Sequence, residues 1–198
     1  MLDWLPDAMR TEVETLATQY GRPLLRAQDI SAQSFVQDVA RHRRFEVCMV
    51  IRRPSGRLLV FTKTFYPDGV FRLLTGGVEP GETIRDALLR EVHEETGLRV
   101  TIARFLAALI RTAHGTPLFA TFAFLLDEIG GALGALDPTE RVVAFREVAR
   151  DELLTLAETL DTLTGYSTDL ETRWDEWGAF RAATHRVIWE ALRGGESE

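Results

Sequence analysis

Hydrophobic and polar positions recur with two different periods along this chain, and the switches between them outline its elements. Over residues 1–21, Leu2, Leu5, Met9, Val13, Leu16 and Ala17 return at helical spacing with charges between them, which predicts an amphipathic helix ended by Gly21 and Pro23. Residues 23–30 read as a short extended stretch. A second short helix follows, with Ser31 as its N-cap and Phe35, Val36 and Val39 as its apolar side. Residues 45–51 and 57–63 are strand-like runs on either side of Pro54-Ser55-Gly56, which predicts a β-hairpin. Residues 70–74 lead into a glycine loop and a helix dense in carboxylates. Beyond it, residues 99–111 and 117–126 are β-rich and turn at His114-Gly115-Thr116. Residues 127–137 read as a glycine-rich loop, 141–147 as a strand, 151–160 as a helix and 168–192 as a long helix, with a frayed tail over 194–198.

That last helix carries an apolar stripe of Trp174, Trp177, Phe180, Val187, Ile188 and Ala191, which something must cover. Packing within the chain is the expectation. The N-terminal helix is one candidate cover and a homodimer contact another, and Trp189, off the stripe, is a residue that could reach a partner. The predicted architecture is α/β (α+β), a mixed sheet sandwiched between helices. Its parts are an N-terminal helical extension (1–44), a central domain (45–160) and a C-terminal helical extension packing on it (161–198).

The stretch Gly76 to Leu98 carries the chemistry. Gly76, Gly77 and Gly81 with Pro80 allow a tight loop. Thr83 can cap the helix that follows, answered by Asp86, and Gly97 stops it. Glu91, Glu94 and Glu95 stand at i, i+3 and i+4, so they share one face, where like charges cost a few tenths of a kcal/mol per pair. A divalent cation would reverse that sign, because hard cations seek carboxylate oxygens. Arg90 adjoins this face and can reach back to Glu82, bracing the loop.

Together Gly76, Glu82, Arg90, Glu91, Glu94, Glu95 and Gly97, at these spacings, resemble the complete signature of the Nudix hydrolases. Seven such identities would coincide by chance on the order of once in a billion at a given position. The resemblance extends more weakly over residues 45–154. It implies a loop and helix that hold Mg²⁺ or Mn²⁺ against a pyrophosphate, with Glu91, Glu94, Glu95 and a carbonyl of Gly76 or Gly77 as metal ligands. It implies hydrolysis of a nucleoside diphosphate linked to another group X, by water attacking phosphorus. Glu94, Glu95 and Glu140 remain open as the catalytic base, with Glu82 and Arg90 in support. Family members often carry one more glutamate in a later loop, for which Glu140, Asp137 and Glu128 qualify. Thr75 stands where many relatives have proline. The proline that often marks ADP-ribose-cleaving members is absent; Arg111, Thr112 and Ala113 occupy that region.

Composition narrows the class further. With 198 residues and 45% hydrophobic content, the chain can bury a sizeable core. Its net charge of −7 argues against a surface that coats nucleic acid, so an anionic small-molecule nucleotide needs local cations. The basic run Arg41-His42-Arg43-Arg44, joined by Arg52 and Arg53, reads as a solvated flank or a phosphate site, and Lys63 and Arg72 could reach a phosphate. The single cysteine, Cys48, reads as a buried structural thiol and suits a reducing cytoplasm. No signal-like or membrane-spanning run stands out. Two other functions fit the sequence less well: a noncatalytic nucleotide sensor on the same fold, and an interaction protein working through its terminal helices.

Overall fold

A computed structural model of the chain describes residues 2–194. The strand Phe45–Arg52 (β2) is apolar on both faces, and that decides the architecture. Val47, Met49 and Ile51 enter one buried cluster, while Cys48 and Val50 enter another. A strand buried on both faces needs a helical layer over each. One layer holds Asp7–Tyr20 (α1) and the signature helix Ile84–Thr96 (α3), whose Val13, Leu16, Ile84, Leu88 and Val92 share the first cluster. The other holds Glu152–Asp161 (α4) and Trp174–Arg193 (α5), whose Leu153, Leu156, Ile188 and Ala191 share the second. The fold is therefore the mixed α/β sandwich that the alternating pattern predicts.

Between the layers lies a mixed sheet of seven strands among the described residues. Leu24–Asp29 (β1) runs parallel to Leu98–Ala113 (β5), which forms a long antiparallel hairpin with Thr116–Gly131 (β6). β6 runs parallel to β2 along its whole length. On its other side β2 meets Leu58–Lys63 (β3) at its end, through Arg52 and Leu58, and Leu74–Gly77 (β4) along Glu46 to Met49. Val142–Val148 (β7) closes the edge against β3. The expected hairpin of β2 and β3 is thus paired only at its base. The signature glycines occupy the space beside the upper part of β2, and this is what brings the glycine loop into the sheet.

Other expectations shift by a few residues for identifiable reasons. α1 begins after Pro6, a residue that suits a helix start. The second helix, Ser34–His42 (α2), starts two residues later than expected, with Gln33 at its N-cap, because the Ser31 side chain is engaged by Asp29 instead of capping it. The stretch expected as a loop over 127–137 remains paired in β6 as far as Gly131. Residues 168–173 are not helical; they close a small hairpin of Tyr166–Ser167 (β8) and Thr172–Arg173 (β9). The stripe of α5 is covered within the chain by α4, α2 and β5, and α1 lies in the opposite layer, so the N-terminal helix is not its cover. Trp189 donates its indole N–H to Asp151, 2.9 Å away, within the same chain. The expected fraying over 195–198 lies outside the described residues. Among the described residues, no helix is long and apolar enough to cross a membrane.

Cys48 is fully buried, and burial first, then the charge of Glu46, pushes its thiol well above the ordinary range. His185 of α5 is buried to 1% exposure; its Nε2 accepts from the Leu73 N–H and its Nδ1 therefore donates to the Arg181 carbonyl. Burial pulls its pKa down to about 4 from 6.5. An unfolded chain takes up that proton near pH 6.5 and the folded one does not, so stability is intact above pH 6.5 and drains away toward pH 4. The expected outcome is that, between those limits, the slope of unfolding free energy against pH is steeper in the native chain than in His185→Leu. The difference approaches about 1.4 kcal/mol per pH unit, read by urea denaturation.

Candidate active site

The signature helix is pinned at both ends before any ligand is considered. At its start, the Thr83 hydroxyl accepts from the Asp86 N–H at 3.0 Å, as its cap position predicts. The next two orphan donors are taken from outside the motif. Glu12 of α1 accepts from the N–H of Ile84 at 2.9 Å and of Arg85 at 3.0 Å. A carboxylate there also meets the positive end of the helix dipole. At its end Gly97 is left-handed (φ 65°), and its N–H closes on His93. The segment after β6 docks on the remaining carbonyls. Gly134 N–H donates to Thr96 O at 2.9 Å, and Leu136 N–H to Glu94 O at 2.9 Å. A side chain on Gly97 would strike the carbonyl oxygens of Ala132 at 2.7 Å and Gly134 at 3.0 Å, so this docking needs glycine.

Arg90 gathers the acidic face. Its Nε and Nη2 form a fork on Glu82 at 2.8 and 2.9 Å, and Nη2 also donates to the Gly77 carbonyl at 2.9 Å. Its Nη1 donates to Glu91 and Glu94, both at 3.0 Å. The fork on Glu82 first, then Glu91 and Glu94, holds the guanidinium firmly charged. The expected brace between Arg90 and Glu82 is present, and the same residue also neutralises two of the three box glutamates.

The third, Glu95, is buried to 1% exposure and pairs with Lys63 of β3 at 2.9 Å. Lys63 also donates to Glu140 at 2.6 Å. One ammonium serves two carboxylates, and they respond differently. Burial pushes Glu95 up to about 7 despite Lys63 and Arg72. Burial also works against the charge of Glu140, but the bond from Lys63 outweighs it and holds that carboxyl below its usual range. Burial raises Glu91 against the pull of Arg90. One oxygen of Glu95, Oε2, is buried without a hydrogen-bond partner. Among the described residues no three acidic, histidine or cysteine side chains are gathered to hold a metal unaided, because Arg90 and Lys63 bridge the carboxylates.

Of the later carboxylates, Glu140 reaches this cluster from the short 3-10 turn Pro138–Glu140. Asp137 caps that turn through the Thr139 N–H at 2.7 Å, and Glu128 pairs with Arg53. Neither joins the site. The basic run separates likewise. Arg43 lies over Gly77, Arg44 stacks on Trp4 and Phe45, and Arg52 and Arg53 pair with Asp127, Glu128 and Glu147 at the far end of β2.

A cleft of about 420 Å³ opens beside Gly76, Gly77, Glu91, Lys63 and Glu140. Arg43, Arg72 and Arg181 line it too. Arg72 is buried and donates to the Tyr66 hydroxyl, the Leu73 carbonyl and the Thr75 hydroxyl, so threonine at position 75 helps fix a cation. Arg181 of α5 donates through Nη1 to both oxygens of Glu46, a carboxylate with no exposed surface that also accepts from Thr121. Burial opposes the charge of Glu46, but Arg181 and Arg43 outweigh it and hold the carboxyl below its usual range. Behind them Arg111 is wholly buried against the Phe180 ring, 4.5 Å away, and burial draws its pKa down to about 9. Arg181 and Glu46 escaped the sequence reading. Arg181 falls four residues after Trp177 and seven before Ile188, so it holds a position of the apolar stripe itself, and a charge inside a buried stripe is the signal that was there to use.

Residues 42–166 match the pattern described as the NUDIX domain. The chain belongs to the NUDIX family. A NAD-capped RNA hydrolase of Macaca fascicularis is 47% identical over 55 residues, which is 27% of this chain and 12% of that one. An ADP-ribose pyrophosphatase of Methanocaldococcus jannaschii is 29% identical over 130 residues, 64% of this NUDIX chain and 73% of that one. This chain therefore spans about an eighth of the first relative's length. Among solved structures, the MutT protein of Methanosarcina mazei Go1 shares the fold at a TM-score of 0.50 and 16% identity, over 78% of this chain and 98% of that one.

Two outcomes test this geometry without any substrate. A Cβ on Gly76 would lie 1.9 Å from the carboxyl carbon of Glu91, so Gly76→Ala is expected to lower stability by about 1–3 kcal/mol. Gly134→Ala, where a Cβ meets nothing within 4 Å, is the control and should stay within about 0.5 kcal/mol in the same urea titration. Removing the outside cap by Glu12→Ala should cost about 1–2 kcal/mol and increase amide exchange at Ile84 and Arg85; unchanged exchange there would remove Glu12 from the cap.

Proposed function

We propose that this chain hydrolyses the pyrophosphate bond of a nucleoside diphosphate linked to a further group X. The observation that carries the reading is the cleft in which the signature glycines and the box glutamate Glu91 meet Lys63, Arg43, Arg72 and Glu140, with Glu95 paired to Lys63 beside it. In a protein of net charge −7 the cleft gathers Arg43, Lys63, Arg72 and Arg181, so that an anionic substrate meets cations there beside Glu46, Glu91, Glu140 and Asp169.

The residues fit a divalent cation by their chemistry. They offer hard carboxylate oxygens, one of them a buried Glu95 oxygen without a partner, and Gly76 leaves room for Glu91 to press against the loop. Glu91, Glu94 and Glu95 would hold Mg²⁺ or Mn²⁺ with a loop carbonyl, and Gly76 is favoured over Gly77 because the Gly77 carbonyl already accepts from Arg90. Such a cation, when bound, neutralises phosphate charge and lowers the pKa of water. The chain's own groups do the rest. Arg90 keeps the glutamates and the loop in register through Glu82. Arg43 and Lys63 meet the phosphates. Glu140, held ionised beside Lys63, is the favoured acceptor of the water's proton, with Glu94 and Glu95 as the other candidates. The two relatives named above are described as a NAD-capped RNA hydrolase and an ADP-ribose pyrophosphatase, which supports the same bond class here.

One observation favours a second reading, a nucleotide sensor: protein cations already neutralise the box carboxylates. A screen over nucleotide sugars, ADP-ribose, dinucleoside polyphosphates and coenzymes separates the two, with added alkaline phosphatase freeing phosphate from the monoester products. The expected outcome is turnover that a chelator abolishes and Mg²⁺ or Mn²⁺ restores. Glu94→Gln and Glu95→Gln should each fold normally and lose about a hundredfold or more in kcat. Full activity in both variants would sink the glutamate assignment, and nucleotide binding without cleavage would favour the sensor.

A further inference from the structure

The cleft is lined by two chemistries, and they come from different parts of the chain. Most of the charged lining belongs to the family domain: Arg43, Glu46, Lys63, Arg72, Glu91 and Glu140 fall within residues 42–166, beside the loop glycines, while Asp169 and Arg181 lie beyond it. Much of the apolar lining lies outside that domain. Phe35 and Val39 come from α2, Leu170 from the turn between β8 and β9, and Trp177 and Phe180 from α5. Phe65, from the loop after β3, completes it. Trp177 and Phe180 are fully packed, but Phe35, Val39, Phe65 and Leu170 are only half-buried, so apolar surface stays open toward the cleft.

These side chains are held in place before anything binds. Phe35 meets the edge of Phe180 at 6.0 Å between ring centres. Phe65 is held between Arg141, 4.7 Å over its ring, and the edge of Tyr66 at 4.9 Å. The helix carrying Phe35 is itself tied to α5, because Glu176 accepts from the Phe35 N–H at 2.8 Å. Arg72 also lies over the Trp177 ring, 5.9 Å away, and one further guanidinium reaches this wall from α5. Arg181, at 7% exposure, is anchored to Glu46 through Nη1, and its Nε has no hydrogen-bond partner. A rigid apolar lining with one unsatisfied donor suits a flat ring with acceptors on its edge. A lipid tail would leave Arg181 unpaired.

We propose that Phe35, Val39, Phe65 and Leu170 form a nucleobase subsite and that Arg181 reads the edge of the base. Substrate choice is then set largely by segments on either side of the family domain, which meet Phe65 from within it. This rests on the pyrophosphate reading, since the base must be joined to the group held by the charged lining. The volume of about 420 Å³ is of the size that takes one nucleotide half. Stacking of a base on aromatic side chains tolerates any base, because each has a π-face.

Calorimetry with three probes on the full chain tests it: AMP, ribose 5-phosphate and inorganic phosphate. AMP should bind about tenfold or more tightly than ribose 5-phosphate. Phe35→Ala and Phe65→Ala should each bring the two ligands within about threefold, while Phe35→Tyr, which keeps the ring, should retain the discrimination. Equal binding of AMP and ribose 5-phosphate by the native chain, or discrimination that survives both alanine variants, would overturn the subsite. The two readings fail separately. Turnover without base discrimination overturns the subsite alone, and base discrimination without turnover of any pyrophosphate overturns the hydrolytic reading alone.

Discussion

The arrangement of this site depends on a single guanidinium. Arg90 binds Glu82 on the loop, the Gly77 carbonyl at the sheet edge, and Glu91 and Glu94 on the helix. Loop, strand and helix each gain a hydrogen-bonded charge from one planar group, which a lysine with its point charge could not supply. The same contact answers an electrostatic problem. Carboxylates crowded into the last two turns of a helix face one another and the negative end of its dipole. Arg90 offsets that repulsion for two of them and Lys63 for the third.

The helix with this unfavourable charge is stabilised from neighbouring elements. Its first donors go to Glu12 of α1, and its last carbonyls go to the segment after β6. Apolar packing of Leu88 and Val92 against β2 and β5 supplies the bulk of the attachment, at roughly 1.5–3 kcal/mol for each large side chain buried. The site is therefore built on a helix that is rigid because of what surrounds it.

Much of this was legible in the sequence where the cause is local. Thr83, Asp86 and Gly97 act through bonds within a turn of their own position, and the Arg90–Glu82 brace spans one loop and two turns of helix, so spacing alone reveals them. The β5–β6 hairpin followed from two long runs about one turn. Contacts between distant segments were not legible. Nothing near Glu12 announces that it caps a helix 72 residues away. Glu46 and Arg181 meet across 135 positions, and each looks unremarkable until the sheet and α5 close on one another. The pairing of β2 with β4 in preference to β3 is of the same kind, since a short turn suggests a hairpin and only the full sheet overrules it.

The docking of the segment after β6 has a consequence for how such chains can change length. The Glu94 carbonyl accepts from both Leu136 and Asp137, and Glu140 follows three residues later. The backbone thus measures a fixed distance from one box glutamate to the later one, like a ruler whose zero is the end of the helix. A single residue added between Asp137 and Glu140 would carry the carboxylate away from Lys63, so the reach of Glu140 is set by counting along the chain.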